Sequence, residues 1–169
     1  EDSVEIAIDE ALSPALDLPS GGSVMFSQTP ALVAMDVNAG GASSGGTGRT
    51  VLAINLEAVA LIARQIRLRN LSGLLVVDFI STKNKKDQAK VREARKNAVA
   101  SDPANVCVGG FTRFGLLEMT RRRSRAALSS ILLAPCVPCD GQGGVLSGLS
   151  AAHRALDRLA QESDMAPAG

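Results

Sequence analysis

Two aspartates stand at the carboxyl ends of two short apolar runs. The first run, Ala31-Leu32-Val33-Ala34-Met35, is closed by Asp36-Val37-Asn38, and the second, Leu74-Leu75-Val76-Val77, by Asp78-Phe79-Ile80. Short apolar runs bounded by Gly or Pro read as buried strands. A carboxylate at the end of such a strand is costly to bury unless it is paired, protonated or bound to a metal. Where two such strands lie side by side, their carboxylates converge at one edge of the sheet. Hard oxygen ligands of that kind suit Mg²⁺ or Mn²⁺. Asp36 and Asp78 are therefore the first candidates for chemistry.

Two further groupings carry chemical potential. Thr120-Arg121-Arg122-Arg123-Ser124-Arg125 packs four arginines into six residues, and a second basic stretch runs from Lys83 to Lys96 against only Asp87 and Glu93. Clusters of this kind fit phosphate contacts. The Lys83–Lys96 stretch reads equally well as a solvated helix face. Cys136-Val137-Pro138-Cys139 supplies two of the four ligands that a structural zinc needs. A redox dithiol is the competing reading, but such a motif should open a helix, and Asp140-Gly141-Gln142-Gly143-Gly144 follows instead. Cys107 is read as core packing and His153 as a solvent-exposed or packing residue. Gly45-Gly46-Thr47-Gly48 lacks the Lys-Ser/Thr ending of a nucleotide-binding loop and reads as a flexible loop near Asp36.

The elements that must position these groups follow from periodicity. Residues 4–12 close a helix, and Leu18-Pro19-Ser20-Gly21-Gly22 turns the chain. Ser23–Ser27 and Ala31–Asp36 read as strands, and Ala39–Gly48 as a mobile loop. Thr50–Leu71 has helical spacing in Leu52, Leu56, Val59, Ile62, Ala63 and Ile66, with Gly73 as its stop. Leu74–Ile80 is the next strand, and Asn84–Ala100 a second helix ended near Asp102-Pro103. Val106–Gly109 is a third interior strand, and Phe111–Thr120 leads into the arginine cluster. Pro135–Gly144 is a tight knuckle, Leu146–Leu159 a last helix, and the tail from Ser163 disordered. Alternating strands and helices make an α/β layered domain.

Composition sets the bounds. The 169 residues form about one domain, and with no Trp or Tyr and four Phe, aliphatic side chains must build its core. At 46% hydrophobic, 21% charged and a net charge of +1, the chain falls in the soluble globular class. No apolar run reaches the roughly 18 residues of a membrane span. Three cysteines do not make a secreted disulfide framework, so a cytoplasmic protein is expected. A start at Glu1 rather than Met reads as a processed or excised piece.

Several segments resemble the RNase E/G endoribonucleases of bacteria. They are Leu18-Pro19-Ser20-Gly21-Gly22, Gln28-Thr29-Pro30-Ala31-Leu32, Asp36-Val37-Asn38, Asn55-Leu56-Glu57-Ala58, Ile62-Ala63-Arg64-Gln65-Ile66-Arg67-Leu68-Arg69-Asn70 and Val77-Asp78-Phe79-Ile80. The likeness continues through Phe114-Gly115-Leu116-Leu117-Glu118-Met119-Thr120-Arg121 to the Cys-x-x-Cys knuckle. It implies an α/β, DNase I-like layered catalytic subdomain over residues 14–133, after the end of an RNase H-like segment at 1–13. A zinc-link knuckle at 134–144 and a truncated small-domain helix and tail at 145–169 would follow.

The resemblance further implies a metal-dependent endoribonuclease that cleaves single-stranded RNA in RNA processing and decay. It assigns catalysis to Asp36, Asn38 and Asp78, with Mg²⁺ (or Mn²⁺) on the two aspartates polarising the scissile phosphate, helping to generate hydroxide and leaving 5′-phosphate products. Arg64, Arg67, Arg69, Arg121, Arg122 and Arg123 are the expected RNA contacts. Cys136 and Cys139 would share one structural Zn²⁺ with the same pair of a second chain, giving a homodimer or higher homo-oligomer. The alternative is a non-catalytic RNA-binding or assembly fragment that needs missing domains for cleavage. Asn105 stands where the family typically has a basic residue contacting the RNA 5′ end.

Overall fold

The computed structural model describes residues 2–40, 48–82 and 84–165. The chain divides into two compact units, residues 1–132 and 133–169. The first is a two-layer α/β unit built on one six-stranded sheet. Its strands are β1 (Ala15–Asp17), β2 (Ser23–Gln28), β3 (Val33–Asn38), β4 (Gly73–Asp78), β5 (Val106–Phe111) and β6 (Leu116–Arg121), in the order β1-β2-β3-β4-β6-β5. The helices are α1 (Asp2–Leu12), α2 (Gly48–Leu68), α3 (Lys85–Val99) and the short α4 (Leu128–Leu132). The pair β3–β4 is parallel and every other pairing is antiparallel.

Period-two alternation sorts the sheet into two faces. Val33, Met35 and Val37 of β3, Leu75 and Val77 of β4, and Leu117 and Met119 of β6 are buried. They pack with Ile54, Ala58, Val59, Ile62 and Ile66 of α2 and Val91 of α3 in one cluster. The core is aliphatic, as the composition requires; Phe79 is its buried aromatic. The intervening residues Asp36, Asn38, Leu74, Asp78, Glu118 and Thr120 are exposed on the other face. Helices thus cover one side of the sheet, and the side that carries both aspartates is open.

Several boundaries differ from the sequence reading, each for a local reason. The strand expected from Ala31 begins at Val33, because Thr29 N–H bonds the Leu32 carbonyl at 3.0 Å and closes a turn over Pro30. Helix α2 ends at Leu68 rather than Leu71, stopped not by Gly73 but by Asn70, whose φ is +49°. Leu71 N–H bonds Ile66 O at 3.0 Å and Asn70 N–H bonds Arg67 O at 3.2 Å, which is a Schellman closure. Helix α3 is capped by Asn84, whose side chain accepts the Lys86 N–H at 3.0 Å. Strands β1 and β6 and helix α4 were not anticipated. Cys107 is exposed on β5 rather than packed in the core, because it pairs with the outward Thr120. The loop expected over 39–48 falls largely on residues 41–47, outside the described residues. The supposed tail from Ser163 is helical to Met165, and residues 166–169 lie outside the described residues.

Two buried arginines tie the elements together. Arg69 donates to Gln65 Oε1 (2.9 Å), Ser13 O (2.8 Å) and Glu10 O (2.9 Å), with its guanidinium 4.0 Å above the centre of the Phe26 ring. It fastens the end of α1 to α2 and β2. Arg121 donates to both oxygens of Asp102 (2.9 and 3.2 Å), to Asn70 Oδ1 (2.9 Å) and to Leu71 O (3.0 Å). It joins β6 to the turns after α2 and α3. Burial alone would push the Asp102 carboxyl up, but the Arg121 hydrogen bonds, the Ala104 N–H and the charges of Arg121 and Arg67 hold it below its ordinary value.

The second unit holds the Cys-x-x-Cys turn and α5 (Gly148–Met165). Leu149, Leu156 and Leu159 of α5 are exposed, as are Val145 and Leu146 before it. Among the described residues, no helix is long and apolar enough to cross a membrane.

Replacing Asp102 by Asn leaves the buried Arg121 guanidinium without its counter-charge. The expected cost is about 3–5 kcal/mol of folding stability at neutral pH, read as a lower urea midpoint. A depressed carboxyl contributes stability only while ionised, so this contribution is complete above the unfolded value of about 4 and fades as the pH falls through the folded one. The gap between wild type and Asp102→Asn should therefore close on acidification; a constant gap would contradict the assignment.

Candidate functional site

In the parallel pairing of β3 with β4, Asp36 is the direct Cα partner of Asp78. Adjacent strands lie about 4.8 Å apart, and residues in register project to the same face. Both side chains are exposed on the open face. Asn38, two residues on and on the same face, donates from Nδ2 to Asp36 Oδ2 at 2.8 Å. Among the described residues, neither aspartate has an ion-pair partner. The three residues predicted to carry catalysis thus stand together at the carboxyl ends of β3 and β4.

The surrounding structure fixes this edge from beneath. Asn55 of α2 is buried; its Nδ2 donates to Ile80 O at 2.9 Å and its Oδ1 accepts the Ile80 N–H at 3.1 Å. It clamps the chain two residues past Asp78 to the helix layer. Glu57 accepts the Ser20 N–H at 3.0 Å and a short hydrogen bond from the Ser20 hydroxyl, which anchors the turn between β1 and β2 to α2. That turn abuts the chain at Asn38: a Cβ on Gly22 would sit 2.6 Å from the Asn38 carbonyl oxygen. Only glycine allows this approach. Neither Asn55, Glu57 nor Gly22 was singled out for a role, although each falls in a segment that carried the resemblance.

As for metal binding, no cluster of three or more His, Cys, Asp or Glu occurs among the described residues. Two carboxylates and an amide on an exposed face leave room for water and substrate oxygens, which is how Mg²⁺ is usually held. The donor set fits such a cation. A cavity of about 1110 Å³ lies elsewhere, between α3 and the edge strand β5. Lys85, Arg92 and Lys96 of the basic stretch line it, while Lys83 is outside the described residues.

The arginines divide differently from expectation. Arg69 and Arg121 are buried, and their guanidinium donors are engaged within the protein, which corrects their reading as free RNA contacts. Arg64 is exposed, 3.7 Å from Glu10, and Arg67 donates to Ala98 O at 3.3 Å. Arg122 and Arg123 are exposed. All lie toward the amino end of β4, because α2 returns the chain there and Gly73 pairs with Arg121. Five residue steps along β4 lead from Gly73 to Asp78, about 17 Å. These arginines do not adjoin the carboxylates.

In the second unit, Cys139 N–H donates to Cys136 O at 3.3 Å, and Gln142 N–H to Cys139 O at 2.9 Å. Asp140, Gly141 and Gly143 have φ of +47°, +77° and +78°, which turns successive backbone N–H groups toward one point. The Gly143 N–H first, then the Cys136 side chain and the Gly141 and Gln142 N–H groups, hold the Cys139 thiol below its usual value. Donors of this kind favour a thiolate, the form that binds metal. This geometry fits zinc, with two ligands from one chain.

The α/β sheet sets a carboxylate pair at adjacent strand ends on its open face. The Ribonuclease E/G family profile matches residues 1–124. The chain is 42% identical over 141 residues to Ribonuclease E of Nostoc sp., covering 83% of this chain and 20% of that protein. It is 37% identical over 143 residues to Ribonuclease G of Escherichia coli, covering 84% and 29%. It is 38% identical over 161 residues to Ribonuclease E of Escherichia coli, covering 95% and 15%. The chain belongs to the Ribonuclease E/G family, and it spans between 15% and 29% of the length of these relatives.

Asn55→Leu preserves volume but strands the Ile80 N–H and carbonyl. Each buried group so orphaned costs about 1–3 kcal/mol, so a fall of at least about 2 kcal/mol in unfolding free energy is expected. Amide exchange at Ile80 should accelerate more than at Leu75. Unchanged protection at Ile80 would show that Asn55 does not hold this edge.

Proposed function

We propose that the first unit is a DNase I-like catalytic subdomain, and that it cleaves single-stranded RNA endonucleolytically with a divalent metal, leaving a 5′-phosphate. The observation that carries this reading is the register that makes Asp36 the partner of Asp78, in a chain whose relatives are named ribonucleases. Two unpaired carboxylates side by side repel a phosphodiester, so substrate approach needs a cation between them. Mg²⁺ or Mn²⁺, when bound, supplies Lewis-acid polarisation of the phosphate and a lowered pKa for the attacking water. Asp36 and Asp78 hold it, and Asn38 orients the Asp36 carboxylate through its 2.8 Å hydrogen bond. The exposed Arg64, Arg67, Arg122 and Arg123 hold phosphates well away from the cleaved bond, a contribution to affinity rather than to sequence choice.

Cys136 and Cys139 hold a structural Zn²⁺ completed by the same pair of a second chain. The exposed leucines of α5 add apolar surface suited to self-association. A second reading keeps RNA binding but no independent cleavage. It is favoured by the separation of about 17 Å between the arginine end of β4 and the carboxylate end, which lets binding and cleavage be independent.

Asp36→Asn and Asp78→Asn should each abolish Mg²⁺-dependent cleavage of a single-stranded, A/U-rich RNA while leaving the fold unchanged by circular dichroism. Full activity in either variant would remove the catalytic assignment. RNA binding without turnover in the wild type would favour the second reading. For zinc, native mass measurement should give one Zn²⁺ per two chains and a halved mass after chelation; a mass indifferent to chelator would exclude the shared site.

A further inference from the structure

Of the four phenylalanines, three take part in packing. Phe79 is buried, Phe26 lies under the Arg69 guanidinium, and Phe111 packs against the core. Phe114 is different: it is 80% exposed, at the turn between β5 and β6. An aromatic ring displayed to water has no packing role there, and the turn that displays it is closed by several hydrogen bonds. Thr112 N–H bonds Leu116 O at 2.7 Å, and Gly115 N–H bonds Thr112 O at 3.0 Å. The Thr112 hydroxyl oxygen accepts the Phe114 N–H at 3.3 Å and the Leu116 N–H at 3.2 Å. Gly115, with φ of +88°, supplies the left-handed residue the turn needs. The Arg113 guanidinium lies 5.3 Å from the centre of the Phe114 ring.

The location matters as much as the exposure. Leu116 is the direct partner of Asp78 across β4–β6, and Phe114 precedes it by two residues in the turn, so the chain can carry it at most about 7 Å from the end of that row. A cleft of about 190 Å³ lies between the chain after Asp78 (Phe79, Ile80 and Ser81) and the turn (Thr112, Arg113 and Gly115), backed by Asn55 and Val91 of the helix layer, so the turn borders the segment that leaves the carboxylate row. An exposed ring with a cation at its side is the chemistry of single-strand recognition. Unpaired bases stack on aromatic faces, and arginine meets the adjoining phosphate or stacks in turn.

We propose that Phe114, with Arg113, is a nucleobase-stacking platform beside the Asp36/Asp78 pair, taking an unpaired base of the RNA a short distance from the cleaved phosphodiester. This inference rests on the nuclease reading above for its substrate. The platform selects single strands over duplexes, because a paired base cannot present its face. It is tolerant of base identity.

The test uses the full chain carrying Asp36→Asn and Asp78→Asn, so that no turnover intervenes, and a short single-stranded RNA containing 2-aminopurine, whose fluorescence falls on stacking. Binding should quench the probe. Phe114→Ala should relieve the quenching and weaken binding by about five- to a hundredfold, and Phe114→Tyr should restore both. Quenching and affinity unchanged in Phe114→Ala would overturn the proposal, as would a parent protein that does not quench at all. An unchanged RNA response with an altered native mass in Phe114→Ala would make the ring a protein contact and equally overturn it. Cleavage by the unsubstituted chain is followed in parallel on unlabelled RNA. Quenching that depends on Phe114, without cleavage by the unsubstituted chain, would sustain the platform while contradicting the nuclease reading.

Discussion

The structure turns on one parallel pairing. Setting β3 beside β4 in the register Met35 to Val77 and Asp36 to Asp78 decides both what is buried and what is displayed. A slip of one residue between the two would turn one strand over, sending Met35 or Val77 to the open face and driving that strand's aspartate into the aliphatic layer, where an unpaired carboxylate is not tolerated. The register that satisfies the core is therefore the one that brings the carboxylates together. Helix α2 enforces it, since a parallel pair needs a crossover, and its buried Ile54, Ala58, Ile62 and Ile66 pack on the apolar face.

The remaining polar contacts serve that pairing. Asn55 reaches from α2 to fix the backbone beyond Asp78, and Glu57, two residues on, holds the loop that rests against Asn38. At the opposite end of the sheet, Arg69 and Arg121 are consumed in binding α1, α2, β6 and the turn after α3 together. Arg95 of α3 is buried, its acceptors among the described residues are the carbonyls of Gly109 (3.0 Å) and Glu118 (3.5 Å), and burial and the nearby Arg92 charge lower its pKa to about 10. It remains charged at neutral pH and secures the irregular stretch of β5 at Gly109. Arginine in this fold is a structural residue as much as a surface one.

That dual use explains what could be read from the chain. Strands β3 and β4 were legible because their inward positions are aliphatic, and helices α2 and α3 because regularly spaced aliphatic residues outnumber the buried Asn55, Gln65 and Arg95. The carboxylate pair was legible for the same reason, as charge at the end of an apolar run. Strand β6 was not, although it alternates cleanly. Its inward set is Leu117, Met119 and Arg121, and an arginine at a core position breaks the pattern unless its partner is known. That partner, Asp102, is 19 residues away, so local sequence cannot reveal it. The run Arg121–Arg125 looked like one basic patch because composition does not distinguish a guanidinium inside a salt bridge from one in water. Cys107 was misplaced because a single residue on an edge strand has no periodicity to assign its face.

The account stands or falls on whether Asp36 and Asp78 act as a single cation site. Titration of the ¹⁵N-labelled chain with Mn²⁺ measures this directly, because the paramagnetic ion broadens amide signals near it. Broadening should begin at Asp36, Val37, Asn38, Asp78 and Phe79 at one equivalent of metal and be lost in Asp78→Asn. Broadening centred on the cleft between α3 and β5, or spread evenly over the surface acids, would contradict it.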